Sequence, residues 1–295
     1  MQTLVNPIAR RGGYRDDGVD CAIAAVERRF PFRGYMRPER GAYHNIARTI
    51  LRHLSPGDRI LDAGAGPADI TAVLQCLGFR CSAFDDLSDR WHGLEGNREK
   101  LLEFARETGI DYRVAPADAI PFPGESFDLV MSNDVLEHLH DSPKDLLNDL
   151  LGLVRPGGFL LLNVPNAVNL RKRIDVLLGR TNLPPFESYY WHPAPWRGHV
   201  REYVRGDMEK LAVLLDLEVI ELDGRSHMLT QLPRPLRRAW SVVTSVFRGW
   251  RDTWTLLARK RPGWTPRRTI PSAELWAAMG TAMPLPYSED VGREL

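Results

Sequence analysis

The amino-acid sequence predicts an α/β fold in which a mostly parallel sheet carries helices on both faces. Three observations lead to this prediction. Short apolar runs alternate with helical patterns five times between residues 59 and 166. The apolar runs show little alternation with polar residues, as expected for strands that are buried on both sides. Glycine-rich or proline-containing turns separate the runs from the helical patterns.

Two helices are predicted ahead of the alternating region. Residues 18–29 and residues 41–54 place apolar side chains at helical spacing. The segment between them, residues 30–41, is rich in aromatic residues and arginine and is predicted to be a loop. The Ser-Pro-Gly-Asp sequence at 55–58 ends the second helix.

The alternating region then predicts strands and helices in turn. In chain order these are strand 59–64, helix 69–78, strand 80–85, helix 97–109, strands 111–118 and 127–133, helix 142–154 and strand 159–165. In an open α/β sheet, ligands bind at the edge formed by the carboxyl ends of the strands. Residues at those ends are therefore the first candidates for a functional site.

The pattern becomes less regular after residue 166. Helix 206–216 and strand 217–224 are predicted, followed much later by a short helix at 272–280. Between them, apolar residues from Leu236 to Leu257 recur at spacings of four and three. This spacing read alone indicates one long amphipathic helix. A helix at 235–250 followed by a buried strand at 253–260 fits the same residues.

Composition excludes several classes of protein. The 295 residues include 39 Lys and Arg against 38 Asp and Glu, and this net charge of +1 disfavours a general nucleic-acid binder. Three scattered cysteines are too few for a disulfide framework or a structural zinc site, so a reducing compartment is expected. No apolar run predicts a membrane-spanning helix or a signal peptide. Residues 225–268 nevertheless hold eleven Arg or Lys residues and one acid.

The stretch from Arg59 to Asp69, RILDAGAGPAD, is the most informative in the chain. A strand runs into Gly64-x-Gly66 and a helix follows at once. Glycines allow a backbone to approach a ligand closely, and a helix N-terminus offers free N–H groups. A dinucleotide-binding loop would have a third glycine where Asp69 stands, and the Gly-Lys-Ser/Thr of a P-loop is absent. A glycine turn without a ligand is the alternative.

Polar residues also end the later strands. Asp85 and Asp86 follow the second strand, about 20 residues after the glycine loop, where an acid suits the two hydroxyls of a ribose. Asp118 follows the third strand, and Asn133 ends the fourth. One such residue could serve as a helix N-cap. A series at successive strand ends predicts a ligand site.

In the order and spacing of six motifs, the chain resembles class I S-adenosylmethionine-dependent methyltransferases over about residues 45–260. The motifs are LDAGAG (61–66), FDDLSD (84–89), ADAIPFPGESFDLV (117–130), NDVLEHL (133–139), LVRPGGFLLLNVPN (153–166) and GHVREY (198–203). The resemblance implies a seven-stranded, mostly parallel sheet with one antiparallel strand. It also implies S-adenosyl-L-methionine as cofactor, and it favours a final strand at 253–260 that pairs with 217–224.

The resemblance further implies which residues bind the cofactor. The set is Asp62, Ala63, Gly64, Gly66, Asp85, Asp86, Asp118, Ala119 and Asn133. Within it, Gly64 and Gly66 would pass under the methionine part, and Asp85 would hold the ribose hydroxyls, with Asp86 as a rival. Asp118 would accept a hydrogen bond from the adenine amino group. In similar proteins the segment corresponding to residues 35–44 closes over the cofactor.

A general base assists methyl transfer to an alcohol oxygen, and His138 and His199 are the candidate catalytic residues. His192, Glu137 and Glu202 are the alternatives for this base. The aromatic-rich segment 184–203 is predicted to contact the substrate. Its candidate residues are Tyr190, Trp191, Trp196, Arg201 and Tyr203. Aromatic faces suit a sugar or another ring, and a small apolar core over the sheet is the alternative. No metal-binding residues are predicted.

The predicted organisation is an N-terminal helix and cap at 1–44, a methyltransferase domain at 45–262 and a tail at 263–295. The domain carries a substrate-side insertion at 184–203 and a basic amphipathic helix insertion at 226–251. LEHL is typical of the family branch that modifies small molecules, sugars and lipids. Residues SNDV stand where methyltransferases of nucleobase amines have an (N/D)PP(Y/F) motif.

The predicted reaction is O-methylation of a sugar hydroxyl in a polysaccharide or glycolipid. The alternatives are O- or C-methylation of a quinone or other small molecule, and a non-catalytic cofactor-binding subunit or sensor. The basic helix within 234–251 either packs on the sheet with a solvated face or contacts anionic lipid or glycan. A cytoplasmic protein, with a peripheral contact at the inner face of the membrane, is expected. No nucleic-acid partner is expected.

Overall fold

The computed structural model describes residues 16–181, 183–227 and 233–270. The strands of these residues are β1 (Arg59–Ala63), β2 (Arg80–Asp85), β3 (Asp111–Val114), β4 (Phe127–Asn133), β5 (Val154–Pro165), β6 (Leu217–Arg225) and β7 (Thr253–Lys260). The helices are α1 (Asp16–Arg29), α2 (Met36–Leu51), α3 (Asp69–Cys76), α4 (Asn97–Thr108), α5 (Lys144–Leu153), α6 (Leu170–Leu177), α7 (Phe186–Trp191), α8 (Arg205–Leu214) and α9 (Arg234–Val246). Three 3-10 turns lie at Arg90–Gly93, Leu136–His138 and Arg248–Trp250.

The seven strands form one sheet in the order β3-β2-β1-β4-β5-β7-β6. Neighbouring strands from β3 to β5 are parallel, and β7 runs antiparallel to both β5 and β6. This confirms the predicted mostly parallel sheet with one antiparallel strand. It also decides between the two interpretations of the late amphipathic pattern. The helix ends at Val246 and the chain re-enters the sheet at Thr253.

Side chains of the central strands alternate between two apolar cores. Ile60, Met131 and Leu161 pack with α1, α2, α3 and α4 on one face of the sheet. Leu61 and Leu160 pack with α5 and α8 on the other face. A strand between two helical layers is buried on both sides, which explains the nearly continuous apolar runs in the sequence.

Several predicted boundaries differ from the structure. Strand β5 begins at Val154, five residues before the predicted start, and α9 ends at Val246, four residues before the predicted end. Helix α2 begins at Met36, inside the predicted loop 30–41, because the Met36 side chain is buried in the core that α1 and α3 share. Strand β3 ends at Val114, four residues before the predicted end, because its pairing partner β2 ends at Asp85. The predicted helix at 272–280 and the first 15 residues of the predicted N-terminal segment lie outside the described part of the chain.

Asn166 joins the late helical segment to the end of β5. Its side chain is buried, and its amide nitrogen donates to the carbonyl oxygens of Gly249 and Arg251 at 2.9 and 2.8 Å. Its side-chain oxygen accepts the backbone N–H of Val168 at 3.0 Å. These bonds hold the turn after α9 against the carboxyl edge of the sheet.

Replacing Asn166 by alanine should therefore lower the free energy of unfolding by about 3 kcal/mol, because two buried carbonyls lose their donor. Asn166→Asp should cost at least as much, since a carboxylate would face both carbonyl oxygens. Urea unfolding of the two variants beside the native chain measures the effect. An Asp variant as stable as the native chain would show that these bonds do not form.

Candidate functional site

The carboxyl ends of β1, β2 and β4 meet at one edge of the sheet, and two cavities lie there on either side of the glycine loop. Their volumes are about 380 and 370 Å³. Gly64, Gly66 and Asp134 line both cavities. The predicted loop is therefore a shared wall between two adjoining cavities, each of a size usual for small-molecule sites.

Gly64 has to be glycine for two reasons. Its φ of +77° is one that side-chain-bearing residues seldom adopt, and an added Cβ would stand 2.4 Å from Cγ2 of Val135. The loop is tied to the neighbouring strand by bonds from Gly64 N and Ala65 N to the Phe84 carbonyl oxygen, at 2.9 and 3.2 Å. The backbone here is thus fixed in a form that leaves room for a ligand.

Asp85 is held more firmly than its rival Asp86. One Asp85 carboxylate oxygen accepts the Gly66 N–H at 2.9 Å, and the other accepts the Leu87 N–H at 2.7 Å. Asp86 is exposed and accepts only from the Ser88 N–H, among the contacts of the described residues. Both residues line the second cavity, but Asp85 also joins the glycine loop to the end of β2.

Asp62, which is buried, and Asp69, which is half-buried, place two carboxyl groups in the first cavity. The Thr71 hydroxyl donates to Asp62 at 2.6 Å, and the Tyr43 hydroxyl donates to Asp69. Burial raises the pKa of Asp62 to about 7, and it raises the pKa of Asp69 as well. Asp69, which breaks the dinucleotide-loop pattern, thus receives a hydrogen bond from α2.

Asn133 carries an unused hydrogen-bonding group into the same cavity. Its side-chain nitrogen and oxygen are both buried, and neither has a partner among the described residues. A buried amide without partners is costly unless a ligand satisfies it. The position predicted for the methionine end of the cofactor therefore has the donor and acceptor that an amino acid group needs.

The remaining predicted cofactor residues lie around the second cavity. Ala63 is buried and lines it. Asp118 and Ala119 are exposed in the loop after β3, next to Ala115 and Ala117, which line the cavity. Neither Asp118 nor Ala119 is itself among the residues that line this cavity.

Helix α2 covers the first cavity with residues that motif spacing did not single out. Tyr35, Glu39 and Tyr43 line it together with the glycine loop. The family resemblance pointed to residues 35–44 as a cover, but no local pattern marks these three side chains. Their role depends on the packing of α2 against α1 and α3.

A third cavity of about 750 Å³ adjoins the first two. It shares Glu39 and Asp134 with the first, and Asp134 and His138 with the second. Both predicted catalytic bases, His138 and His199, line it, and their ring centroids are 5.0 Å apart. The structure therefore brings the two histidines together beside the candidate cofactor space, although 60 residues separate them in the chain.

Buried ionisable groups surround these histidines. Burial raises the pKa of Glu137 to about 8, with the Asp134 charge as a smaller cause. Burial lowers the pKa of His199 to about 4, helped by His138 and Lys172, so His199 is neutral at pH 7. Burial also lowers the pKa of Lys172 to about 8. Sequence analysis proposed none of these three shifts, because they arise from contacts between distant segments.

The LEHL and GHVREY motifs pack against each other. The Glu137 carbonyl oxygen accepts the N–H groups of Val200 and Arg201, at 2.6 and 3.3 Å. The Tyr203 hydroxyl donates to the Leu136 carbonyl oxygen at 3.3 Å, and His138 Nδ1 lies 2.8 Å from the Arg197 carbonyl oxygen. Two motifs that are far apart in sequence thus form one wall of the third cavity.

The predicted substrate residues are not brought together in that cavity. Tyr203 is buried in the core beneath it, so its side chain supports the wall instead of facing a substrate. Trp196 is half-buried and donates to the His199 carbonyl oxygen at 3.3 Å. Arg201 is exposed and lies 3.7 Å from Asp207. Tyr190 and Trp191 are 63% and 78% exposed on the outer surface.

Comparison with known proteins places the chain in a family. Residues 32–222 match the family model described as a methyltransferase domain. A Mycolicibacterium smegmatis protein named as a probable S-adenosylmethionine-dependent methyltransferase is 25% identical over 185 residues, which are 62% of this chain and 61% of that protein. The ubiquinone biosynthesis O-methyltransferase of Parvibaculum lavamentivorans is 32% identical over 210 residues, which are 70% of this chain and 75% of that enzyme.

A solved structure agrees with the sheet topology. A methyltransferase in complex with the Haloferax volcanii Trm112 methyltransferase activator superposes with a TM-score of 0.52 at 17% identity. The match covers 85% of this chain and all of that one, and at this identity it supports the fold. The family model, the sheet and the glycine loop agree with one another. The chain belongs to the methyltransferase-domain family and is an S-adenosylmethionine-dependent methyltransferase of class I fold.

Proposed function

We propose that this chain transfers a methyl group from S-adenosylmethionine to a hydroxyl oxygen on the polar ring of a lipid-linked small molecule. The observation that carries the proposal is the third cavity, which opens beside the cofactor edge and is lined by Glu137, His138 and His199. Asp134 and His138 line both this cavity and the second one, so they would separate a bound acceptor from the cofactor.

The two smaller cavities fit the two ends of the cofactor. The partnerless Asn133 amide and the Asp62 and Asp69 carboxyls suit the amino acid end in the first cavity. Asp85, in the second cavity, suits the ribose hydroxyls better than Asp86 does, because its backbone hydrogen bonds hold its orientation. Asp118, which follows the cavity-lining Ala117 in the chain, stays the candidate acceptor for the adenine amino group.

The cofactor supplies a methyl group bound to a sulfonium, whose sulfur is already a good leaving group. The residues of this chain then have to align the acceptor, exclude bulk water from the reacting atoms and promote loss of the hydroxyl proton. The wall formed by residues 136–138 and 197–203 closes one side of the acceptor space. The cluster of Glu137, His138 and His199 lines this cavity and is the place where the acceptor hydroxyl would lose its proton.

The acceptor class follows from a relative and from the surface. The Parvibaculum relative is named for ubiquinone biosynthesis, which favours the quinone-type alternative of the sequence analysis. The mouth of the third cavity includes Leu183, which is 67% exposed. The sugar hydroxyl predicted from the sequence remains the alternative acceptor, and the acceptor panel described below tests both. A cofactor-binding sensor would bind the cofactor and release no product.

Exposed apolar side chains support a peripheral membrane contact. They are Val176, Leu177, Leu178, Leu183, Phe186, Trp191, Val246 and Phe247. One contact links α6 to the turn after α9, because the Arg173 guanidinium lies 5.7 Å from the Trp250 ring, which stacks on Phe247. Apolar patches of this kind rarely stay exposed without a partner. Within the described ranges, no helix has the length and apolarity to cross a membrane.

Gly64→Ala should weaken S-adenosylmethionine binding by at least about tenfold, because the new Cβ would clash with Val135 in a strained backbone. Gly179→Ala is the matched control, since Gly179 has a similar φ of +73° but has nothing within 4 Å of the added Cβ. Isothermal titration calorimetry measures both. Equal affinities in the two variants would contradict the prediction that the glycine loop binds the cofactor.

The acceptor is tested by the release of S-adenosylhomocysteine with a panel of prenylated catechols, water-soluble catechols and glycolipids. We expect turnover with prenylated catechols to exceed turnover with the other two classes. Turnover only with glycolipids would contradict the quinone-type acceptor and favour a sugar hydroxyl. Cofactor binding without turnover on any class would favour the sensor.

Leu177→Glu combined with Phe247→Glu should abolish most co-sedimentation with vesicles that contain phosphatidylglycerol, because two apolar contacts with the interface become charged. Val213→Glu, at a residue that is 73% exposed on α8, is the control that should sediment like the native chain. A native chain that stays in the supernatant would contradict the membrane contact.

A further inference from the structure

Glu137, His138 and His199 form a cluster at the boundary between the cofactor space and the acceptor cavity. Each offers one ligand atom, and the three atoms lie within 4.8 Å of one another. His199 Nε2 is 4.0 Å from a Glu137 carboxylate oxygen. Two of the ligands come from the LEHL motif and one from GHVREY, so no local spacing in the sequence indicates this group.

The Glu137 carboxyl group is buried without a hydrogen bond. Its side chain is fully buried, and neither carboxyl oxygen has a hydrogen-bond donor among the described residues. A buried carboxyl group without a hydrogen bond costs free energy, and it costs more when it is ionised. The carboxylate lines the third cavity, so a cation in that cavity is the natural partner for it.

Both histidines are oriented as metal ligands are. His138 Nδ1 lies 2.8 Å from the Arg197 carbonyl oxygen, which only accepts, so Nδ1 carries the hydrogen. His199 Nδ1 lies 2.8 Å from a Glu202 carboxylate oxygen, and Lys172 pairs with the other oxygen of that carboxylate. Each ring therefore keeps its Nε2 lone pair free. Metal-binding histidines usually donate their second N–H to a carbonyl or a carboxylate in this way.

The protein backbone holds the ligands in place. The Glu137 carbonyl oxygen accepts the N–H groups of Val200 and Arg201, which belong to the two consecutive peptides after His199. The cavity is also acidic: six Asp or Glu side chains and three Lys or Arg side chains line it among the described residues. This charge balance favours a cation over an anion at the cluster.

We propose that Glu137, His138 and His199 bind a divalent zinc-type cation through one carboxylate oxygen and two imidazole nitrogens. Zinc prefers such His₂Glu sets with a fourth, open position. Ligand distances of about 2.0–2.2 Å place tetrahedral ligand atoms about 3.4 Å apart. The 4.0 Å between His199 and Glu137 would therefore shorten by about 0.6 Å, which side-chain torsions allow.

The open position would face the acceptor cavity. There a cation lowers the pKa of a hydroxyl, so the hydroxyl proton leaves to solvent. The oxygen then forms its bond to the methyl carbon as the carbon–sulfur bond breaks, and neutral S-adenosylhomocysteine remains. Only this catalytic use rests on the proposed function. The binding site itself stands on the geometry of the three side chains.

Calorimetric titration of the tag-free, chelator-treated full chain with Zn²⁺ tests the site. We expect one Zn²⁺ per chain in the native protein. Glu137→Gln and His199→Ala should each weaken its affinity by at least about tenfold, since each removes a ligand. His140→Ala is the matched control, because His140 bonds the Trp196 carbonyl oxygen in the same wall but is outside the cluster. No saturable binding, or equal weakening in all variants, would overturn the proposal.

Two further measurements separate folding and function from metal binding. The cobalt form should show the visible absorption of a four-coordinate ion, and the near-isosteric Glu137→Gln variant should lose it while keeping its native unfolding temperature in the absence of metal. If the native chain binds Zn²⁺ but releases no S-adenosylhomocysteine with any acceptor, the site stands and the proposed function fails. If turnover proceeds equally after chelation and the chain binds no Zn²⁺, the metal site alone fails.

Discussion

The parallel pairing of β2, β1 and β4 is the constraint on which the rest of this structure depends. Because parallel strands end at the same edge of the sheet, the residues that follow them lie close together there. Asp85 then joins two of those ends, since it accepts the N–H of Gly66 in the loop after β1. The glycine loop, the acids and Asn133 form one site as a consequence of strand direction.

A second contact builds the acceptor side. The 3-10 turn at Leu136–His138 follows β4, and the segment 197–203 returns to it from beyond α7. Backbone hydrogen bonds between these two segments bury Glu137 and place His138 and His199 in one cavity. The contact that forms the cavity wall is thus also the contact that buries the Glu137 carboxyl group.

Some of the arginines in the basic segment, residues 225–268, stabilise the fold through contacts with neighbouring elements. Arg251 donates to the carbonyl oxygens of Thr244 and Gly224, at 3.0 and 2.8 Å, and lies 3.6 Å from Asp223. Arg225 and Arg248 also lie within 3.5 Å of Asp223. Several of the arginines counted in the basic segment therefore anchor α9 and its turn to β6. The exposed apolar side chains beside them are the stronger sign of a surface contact.

The sequence by itself determined the α/β class, the order of the strands along the chain and the sheet edge at which polar residues and the glycine loop gather, because hydrophobic periodicity and glycine positions are local properties. Its motif resemblance also led to the cofactor and to the strand at Thr253–Lys260. Only the tertiary structure decided which polar side chains are buried and what they face. Tyr203 supports the core, Asn133 lacks a partner, and Glu137 meets two histidines. These outcomes depend on contacts between segments about 60 residues apart, and local periodicity carries no information about such contacts.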